Sequence, residues 1–368
     1  MSAVDKIAGR PQTVNEELLQ RSVRHQLLLQ RVGNREAARI RKLLKEAHGD
    51  VLVQLGRRLS LITQRGYDLG PGTTQRLLDL ATGLHELMSP TLALAQQQLA
   101  LSLGDLARSE AQFQVGLVQK VVPVPVEMVL PSVATLQAVV AARPFDGKLL
   151  AEWFDELERR QQTRVLRALR LGIVEGETVP QLARRLQEGV LDLTRRGAEN
   201  ILRTAVNHVS THAREAVAQA NPDIVQGCQW VSTLDSRTCF ECQALDGQVF
   251  EVGSGPRPPR HLSCRCTLAP VLKSWRELGI DLNEAPEGTR AAMNGQVPES
   301  LTYNAWLRAR VQTGDMATVE DALGRTRAKL FAAGGLKVDQ FVDQQGKFMT
   351  LKELQGKEAD AFKQLNLN

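Results

Sequence analysis

Apolar side chains recur at three- and four-residue spacing along most of this chain, which predicts a mainly α-helical protein. From about Asn15 to Leu61 the period is carried by Leu18, Leu19, Val23 and Leu27, then by Ile40, Leu43, Leu44, Ala47 and Val51. Gly33 separates the two sets, so a helical hairpin is predicted. Past Gly70, Pro71 and Gly72, either Thr73 or Thr74 can cap a further helix, which Ser89 and Pro90 interrupt before it runs on to about Val118. Residues 1–120 therefore read as an N-terminal region of helices alone.

The pattern changes at Val121. Prolines at 123, 125, 131 and 144 cannot donate to a helix ladder, so 121–147 is expected to be a proline-rich hinge with one short helix at about Ser132 to Ala142. A central helical part, 148–225, follows. Leu149, Trp153, Phe154, Leu157, Val165, Leu166 and Leu169 share one face against a crowd of Arg and Glu, and Gly176 ends that helix. Thr178 is placed to cap a short helix through Leu186, and Thr194 to Asn221 keeps the period through Ala198, Ile201, Leu202, Ala205 and Val209.

From Gln226 to Pro270 the chain is turn-rich and bears cysteines, with strand pieces expected at Trp230, Val231 and at Val249, Phe250, Val252 around an Asp246, Gly247 turn. Residues 226–272 thus form a small β-containing module, and 273–368 a short α/β tail in which Tyr303, Trp306, Phe341 and Phe348 are core or interface anchors. There is no internal repeat and no low-complexity tract.

At 368 residues the chain is long enough for two or three structural units. Aromatic residues make up only 4%, so packing falls to Leu, Val and Ala. The balance of 46 basic against 41 acidic side chains gives net +5, and the first fifty residues hold ten basic against six acidic. That bias suits solvated helix faces, contact with DNA or an acidic ring of partner subunits, and does not decide the function. The N-terminus shows no basic segment followed by an apolar one, and no apolar run reaches the ~18 residues a membrane span needs, so synthesis and assembly in a cytosol without a membrane anchor are expected.

The chemistry lies in WVSTLDSRTCFECQALDGQVFEVGSGPRPPRHLSCRCTLAP. Cys239 and Cys242 form CxxC, while His261, Cys264 and Cys266 form HxxCxC; four of the five cysteines fall within 28 residues. In a reducing compartment such clustering points to metal rather than to disulfides. Two residues between cysteines let both thiolates enter one tetrahedral site, and the second cluster can complete it with two sulfurs or with a sulfur and an imidazole nitrogen. Structural zinc held among Cys239, Cys242, His261, Cys264 and Cys266 is therefore expected, with Cys228 a small buried hydrophobe.

Asp235, Glu241 and Asp246 lie close enough in sequence to make a hydrolytic zinc conceivable, but a catalytic zinc keeps three protein ligands and a water, and up to five donors favour a closed site. No enzyme activity is expected. His208 and His212 stand one helical turn apart without the glutamate of a zincin motif and read as a helix-surface pair. No phosphate-cradling loop, serine-hydrolase elbow or dinucleotide fingerprint occurs.

The run Trp230, Thr233, Asp235, Arg237, Thr238, Cys239, Cys242, Leu245, Asp246, Gly247, then Pro258, Pro259, His261, Cys264, Arg265, Cys266 and Pro270, resembles the signature of Mu F-like phage head-morphogenesis proteins. LGIVEGETVPQLARRL and ILRTAVNHVSTHAREA upstream resemble the helices that lead into it, and GQVPESLTYNAWL with LGRTRAKLFAAGGLKVDQFVDQQGKFMTLKEL resembles the tail of such proteins; the likeness spans roughly residues 145–355. Where that family commonly has an acidic residue after the Arg and Thr of its helix, Arg203 and Thr204 are followed by Ala205.

The resemblance implies a structural minor head protein of the virion, in several copies, at the capsid interior or portal vertex. Its partners would be the portal protein and the major capsid or scaffolding protein, with non-specific contact to packaged DNA and ejection alongside it as further expectations. The rival classes are a metal-dependent nuclease or peptidase of head maturation, and a non-specific DNA-binding virion protein.

Overall fold

A computed structural model of the chain describes residues 14–63, 71–274, 276–278, 289–293, 295–298, 301–333, 335–343 and 347–367. Its first element, α1, is one unbroken helix of 50 residues, Val14–Thr63, about 75 Å long at the standard rise. Leu18, Leu29, Ala37, Ile40, Leu44, Val51 and Leu55 make a continuous buried stripe along it. Gly33 therefore does not break the helix as expected. A Cβ built there would sit 3.8 Å from the Arg203 Cα and from Val206, so glycine permits a close approach of a second helix.

The hairpin is real but larger than predicted, because its second arm is α2, Pro71–Val121. Leu18 packs with Leu117 and Val118, Ile40 and Leu44 with Leu92 to Ala111, and Val51 and Leu55 with Leu80 to Met88, which makes the arms antiparallel. Pro90 lies inside α2 without interrupting it. Leu80, Leu84 and Met88 before it and Leu92, Ala95 and Leu99 after it are all buried. Burial of those side chains outweighs the roughly 3 kcal/mol that an interior proline costs a helix. The expected cap at Thr73 or Thr74 rests on side chains outside the described residues, as does Gly70.

Helix α3, Val133–Ala141, starts where predicted, with the Ser132 hydroxyl accepting from the Thr135 N–H. Helix α4, Leu150–Val174, buries Trp153, Phe154 and Leu157, and the Trp153 indole donates to the Phe145 carbonyl at 3.0 Å. Past Gly176, whose φ is +69°, Thr178 heads α5, Val179–Leu186, its N–H donating to the Gln181 Oε1 at 2.8 Å. One π-helical turn, Gln187–Leu191, passes directly into α6, Asp192–Ala220.

Helix α6 lies at the centre of the molecule. Ala198, Ile201, Leu202, Ala205, Val209, Ala213 and Val217 enter the principal core with α1, α2, α3 and α4. Its other sides bury Thr204, Asn207, His208, Thr211, Arg214 and Glu215, and polar groups buried to this degree need partners. Accordingly Arg214 donates to Glu110 at 2.9 Å and to the Thr267 hydroxyl at 2.6 Å. The expectation of a surface histidine pair is corrected here. His208 is 3% exposed, hydrogen bonds through Nε2 to the Arg143 carbonyl and meets His212 edge to face, because the 121–148 segment folds over this side of α6.

Strand β1, Val225–Val231, is central in a three-stranded antiparallel sheet, between β2, Val249–Glu251, and β3, Thr267–Leu272. Helix α7, Phe240–Leu245, stands between β1 and β2. Strand β3 was not expected, since it contains Pro270, paired with Cys228; as an edge strand it tolerates a proline. A two-stranded hairpin, β4 Thr289–Ala292 with β5 Gly295–Pro298, leads to five short helices: α8 Tyr303–Gln312, α9 Met316–Leu323, α10 Arg325–Ala332, α11 Leu351–Lys357 and α12 Ala359–Gln364. Tyr303, Trp306, Phe331 and Phe341, each 0% exposed, form their separate core, and Phe348 stacks on Phe240. The mainly helical class with one small β-containing, cysteine-rich module is thus what the chain adopts.

Candidate metal centre

The CxxC stands where the chain turns from β1 into α7. Cys239 is the residue before the helix and Cys242 lies in its first turn, so one helical turn directs both thiols the same way. HxxCxC is the approach to β3, with Ser263 at φ +62° folding the chain back between His261 and Cys264. Ligand atoms of Cys239, Cys242 and His261 lie within 4.8 Å of one another, as do those of Cys242, Cys264 and Cys266. Cys242 belongs to both groups, so all five expected donors converge.

The spacing fits a shared cation. A tetrahedral site with metal–sulfur bonds of about 2.3 Å has donor–donor edges of roughly 3.6–3.8 Å. The Cys242 Sγ is 3.8 Å from the Cys264 Sγ and 3.8 Å from the His261 Nε2. All five cysteines are free thiols, four of them buried. This cluster can hold a metal ion.

Its electrostatics point the same way. Hydrogen bonding from the Cys242 thiol, helped by His261 and opposed by burial, brings Cys239 down to about 5. Hydrogen bonds to Cys239 and Cys264 lift His261 to about 11. The same thiol contacts push Cys242 up and Cys264 down, as expected where close thiols compete for thiolate charge. A divalent cation would neutralise charge that the metal-free cluster must share among protons. Cys228 lies outside the cluster; burial raises it to about 11, keeping it a neutral thiol packed in the core.

Several positioning residues are far away in sequence. The Asn207 amide of α6 donates to the carbonyls of both Cys264 and Cys266, at 2.9 and 3.1 Å, and accepts from Gln26 of α1 at 3.1 Å. The Thr204 hydroxyl accepts from the Ser263 N–H at 2.8 Å. Ser232 receives the Trp230 indole N–H at 3.0 Å and the Cys266 thiol at 3.6 Å, and donates to the Cys242 carbonyl at 2.6 Å. Asp246 takes the Ser232 N–H on one oxygen and the Tyr303 N–H on the other, at 2.7 and 2.8 Å, which joins the module to the C-terminal helices. Thr204, Trp230 and Asp246 fall in the family-like stretches of the sequence, but nothing in the sequence shows which groups they hold.

The acidic neighbours of the cluster are committed elsewhere. Asp235 is clasped by Arg265 at 2.5 and 2.7 Å, and burial notwithstanding, that guanidinium holds its carboxyl below the usual range. Glu241 accepts from Arg260 at 2.6 Å. Asp246 is held as described above.

The chain is thus a helical scaffold that carries a small β module with a Cys/His cluster against a buried polar helix. Residues 163–269, from the middle of α4 through the last cysteine and into β3, match the family model described as Phage Mu protein F like protein. Comparison with curated proteins and with solved structures gave no match. Among the described residues no helix is long and apolar enough to cross a membrane.

Proposed function

We propose that this protein is a structural minor head component of a phage virion, built into the head at the capsid interior or portal vertex after synthesis in the host cytoplasm. The observation that carries the reading is the family match over 163–269, whose C-terminal part holds the five-donor cluster. In this reading zinc occupies the cluster through Cys239, Cys242, Cys264 and His261, with Cys266, whose thiol already meets Ser232, as the spare donor. The ion pins the two cysteine segments against α6, and the long α1–α2 hairpin presents the docking surface for the portal protein and the major capsid or scaffolding protein. Carboxylates tied up by Arg265, Arg260 and Tyr303 favour a structural role for the ion over hydrolysis.

Mass spectrometry of purified virions tests this, with copies of the chain counted against portal and major capsid protein. Several retained copies are expected, since a ring repeats its docking surface; complete absence from the particle would contradict the proposal. A second reading, non-specific DNA contact, draws on the outward face of α4, where Arg159, Arg160, Arg167 and Arg170 are exposed and Arg164 is half-buried. Duplex binding that weakens steeply with salt would support it, and salt-independent or absent binding would remove it.

A further inference from the structure

Between α1, α6 and the turn that carries Ser263 lies a cavity of about 330 Å³, within the size range of small-molecule sites. Three guanidiniums line it: Arg203 from α6 and Arg237 and Arg265 from the module. Arg203 donates to Asn34 at 3.0 Å and reaches Glu199 at 3.4 Å. Glu199 is itself held by Arg41 at 2.5 and 2.8 Å. Arg237 and Arg265 share one carboxylate, Asp235, at 3.5 Å and 2.5 Å. Four guanidiniums, Arg41, Arg203, Arg237 and Arg265, thus face two carboxylates, Asp235 and Glu199, and each keeps donors that these bonds do not use.

The same wall offers an acceptor. Gln26, 5% exposed, gives its amide N–H to Asn207, while its Oε1 has no hydrogen-bond partner. Buried acceptors without partners are uncommon and need an explanation. A ligand with anionic oxygens for the guanidiniums and a hydroxyl for Gln26 would satisfy the whole wall. Arg237, with 79% of its side chain exposed, marks the open mouth.

We infer that this cavity binds a phosphate group that retains a hydroxyl, either free hydrogen phosphate or a terminal phosphate monoester in its singly protonated form, and that the bound group clamps α1 onto α6 and the cysteine turn. Neither the family match nor the metal centre requires such a site.

Isothermal titration calorimetry on the full chain, with sodium phosphate against sodium chloride at matched ionic strength, tests it. One site per chain is expected, weakened about tenfold or more by Arg203→Gln and by Arg237→Gln, since each removes charge-assisted hydrogen bonds. Arg237 is exposed, so Arg237→Gln reports on binding without a burden on folding. A 5′-phosphorylated oligonucleotide and its dephosphorylated counterpart distinguish the sources. Tighter binding of the phosphorylated strand than of inorganic phosphate assigns the site to nucleic-acid ends, and equal binding assigns it to the free ion. Heats no larger than those with chloride, or both variants binding phosphate as the parent does, would overturn the inference.

Discussion

Replacing Asn207 with alanine should damage the metal module from a distance. The side chain touches none of the five donors through its own ligand atoms, yet it donates to the Cys264 and Cys266 carbonyls at 2.9 and 3.1 Å and accepts from Gln26 at 3.1 Å. A typical hydrogen bond contributes about 1 kcal/mol net, and a buried group left without a partner costs about 1–3 kcal/mol. Both cysteines are buried, at 5% and 2% exposure, so water does not readily replace the amide. The combined loss should be about 3 kcal/mol in the denaturant-induced unfolding of the module. Because Asn207 also fixes the backbone that presents two thiols, zinc affinity should fall by about 10–100-fold, as when other groups that orient metal ligands are removed. Competition with a chromophoric chelator measures the affinity, and urea titration the stability. Gln26→Ala, which removes one bond to Asn207, serves as the milder control, with a loss of about 1 kcal/mol. Parental zinc affinity together with an unchanged urea midpoint in Asn207→Ala would refute the assignment of Asn207 as the organiser of this turn.

Two further outcomes follow from the same packing. Burial, with the charge of Arg195 beside it, depresses His48 from 6.5 to about 4, and burial together with His212 depresses His208 from 6.5 to about 3. The unfolded chain then binds more protons than the folded one below 6.5, so stability present above that pH drains away as pH falls, by roughly 2 kcal/mol per histidine at pH 5. Urea midpoints between pH 7.5 and 5 measure this, with His208→Gln flattening its share of the slope; a flat profile in the parent would contradict the burial argument. Gly227→Ala should destabilise the sheet by about 1–3 kcal/mol, because its Cβ would stand 2.8 Å from the Phe250 carbonyl oxygen across the β1–β2 pairing. A thermal midpoint equal to the parent's would show that the strands separate more freely than the structure implies.

Local signals in the sequence gave reliable elements where the physics was local. Ser132 and Thr178 mark helix starts because capping involves residues only three positions away, and the five candidate donors stand out because ligand spacing is a short-range property. At Gly33 and Pro90 local propensity argues for a break, and a long buried stripe on each helix overrides it. Pro270 argues locally against strand β3, and only the edge position, a property of the whole sheet, accommodates it. The shell around the cysteines was illegible for another reason. Asn207 meets Cys264 across 57 positions of chain and Tyr303 meets Asp246 across 57, and no periodicity encodes such pairs.

Zinc, in the proposal above, holds the two cysteine segments together. Elemental analysis of the purified full chain, with X-ray absorption at the zinc edge, tests it most directly. About one zinc per chain is expected, bound by three sulfurs at about 2.3 Å and one nitrogen at about 2.0 Å, with unfolding of the module when a strong chelator removes the ion. A metal-free chain that keeps the same unfolding midpoint with and without chelator would contradict it.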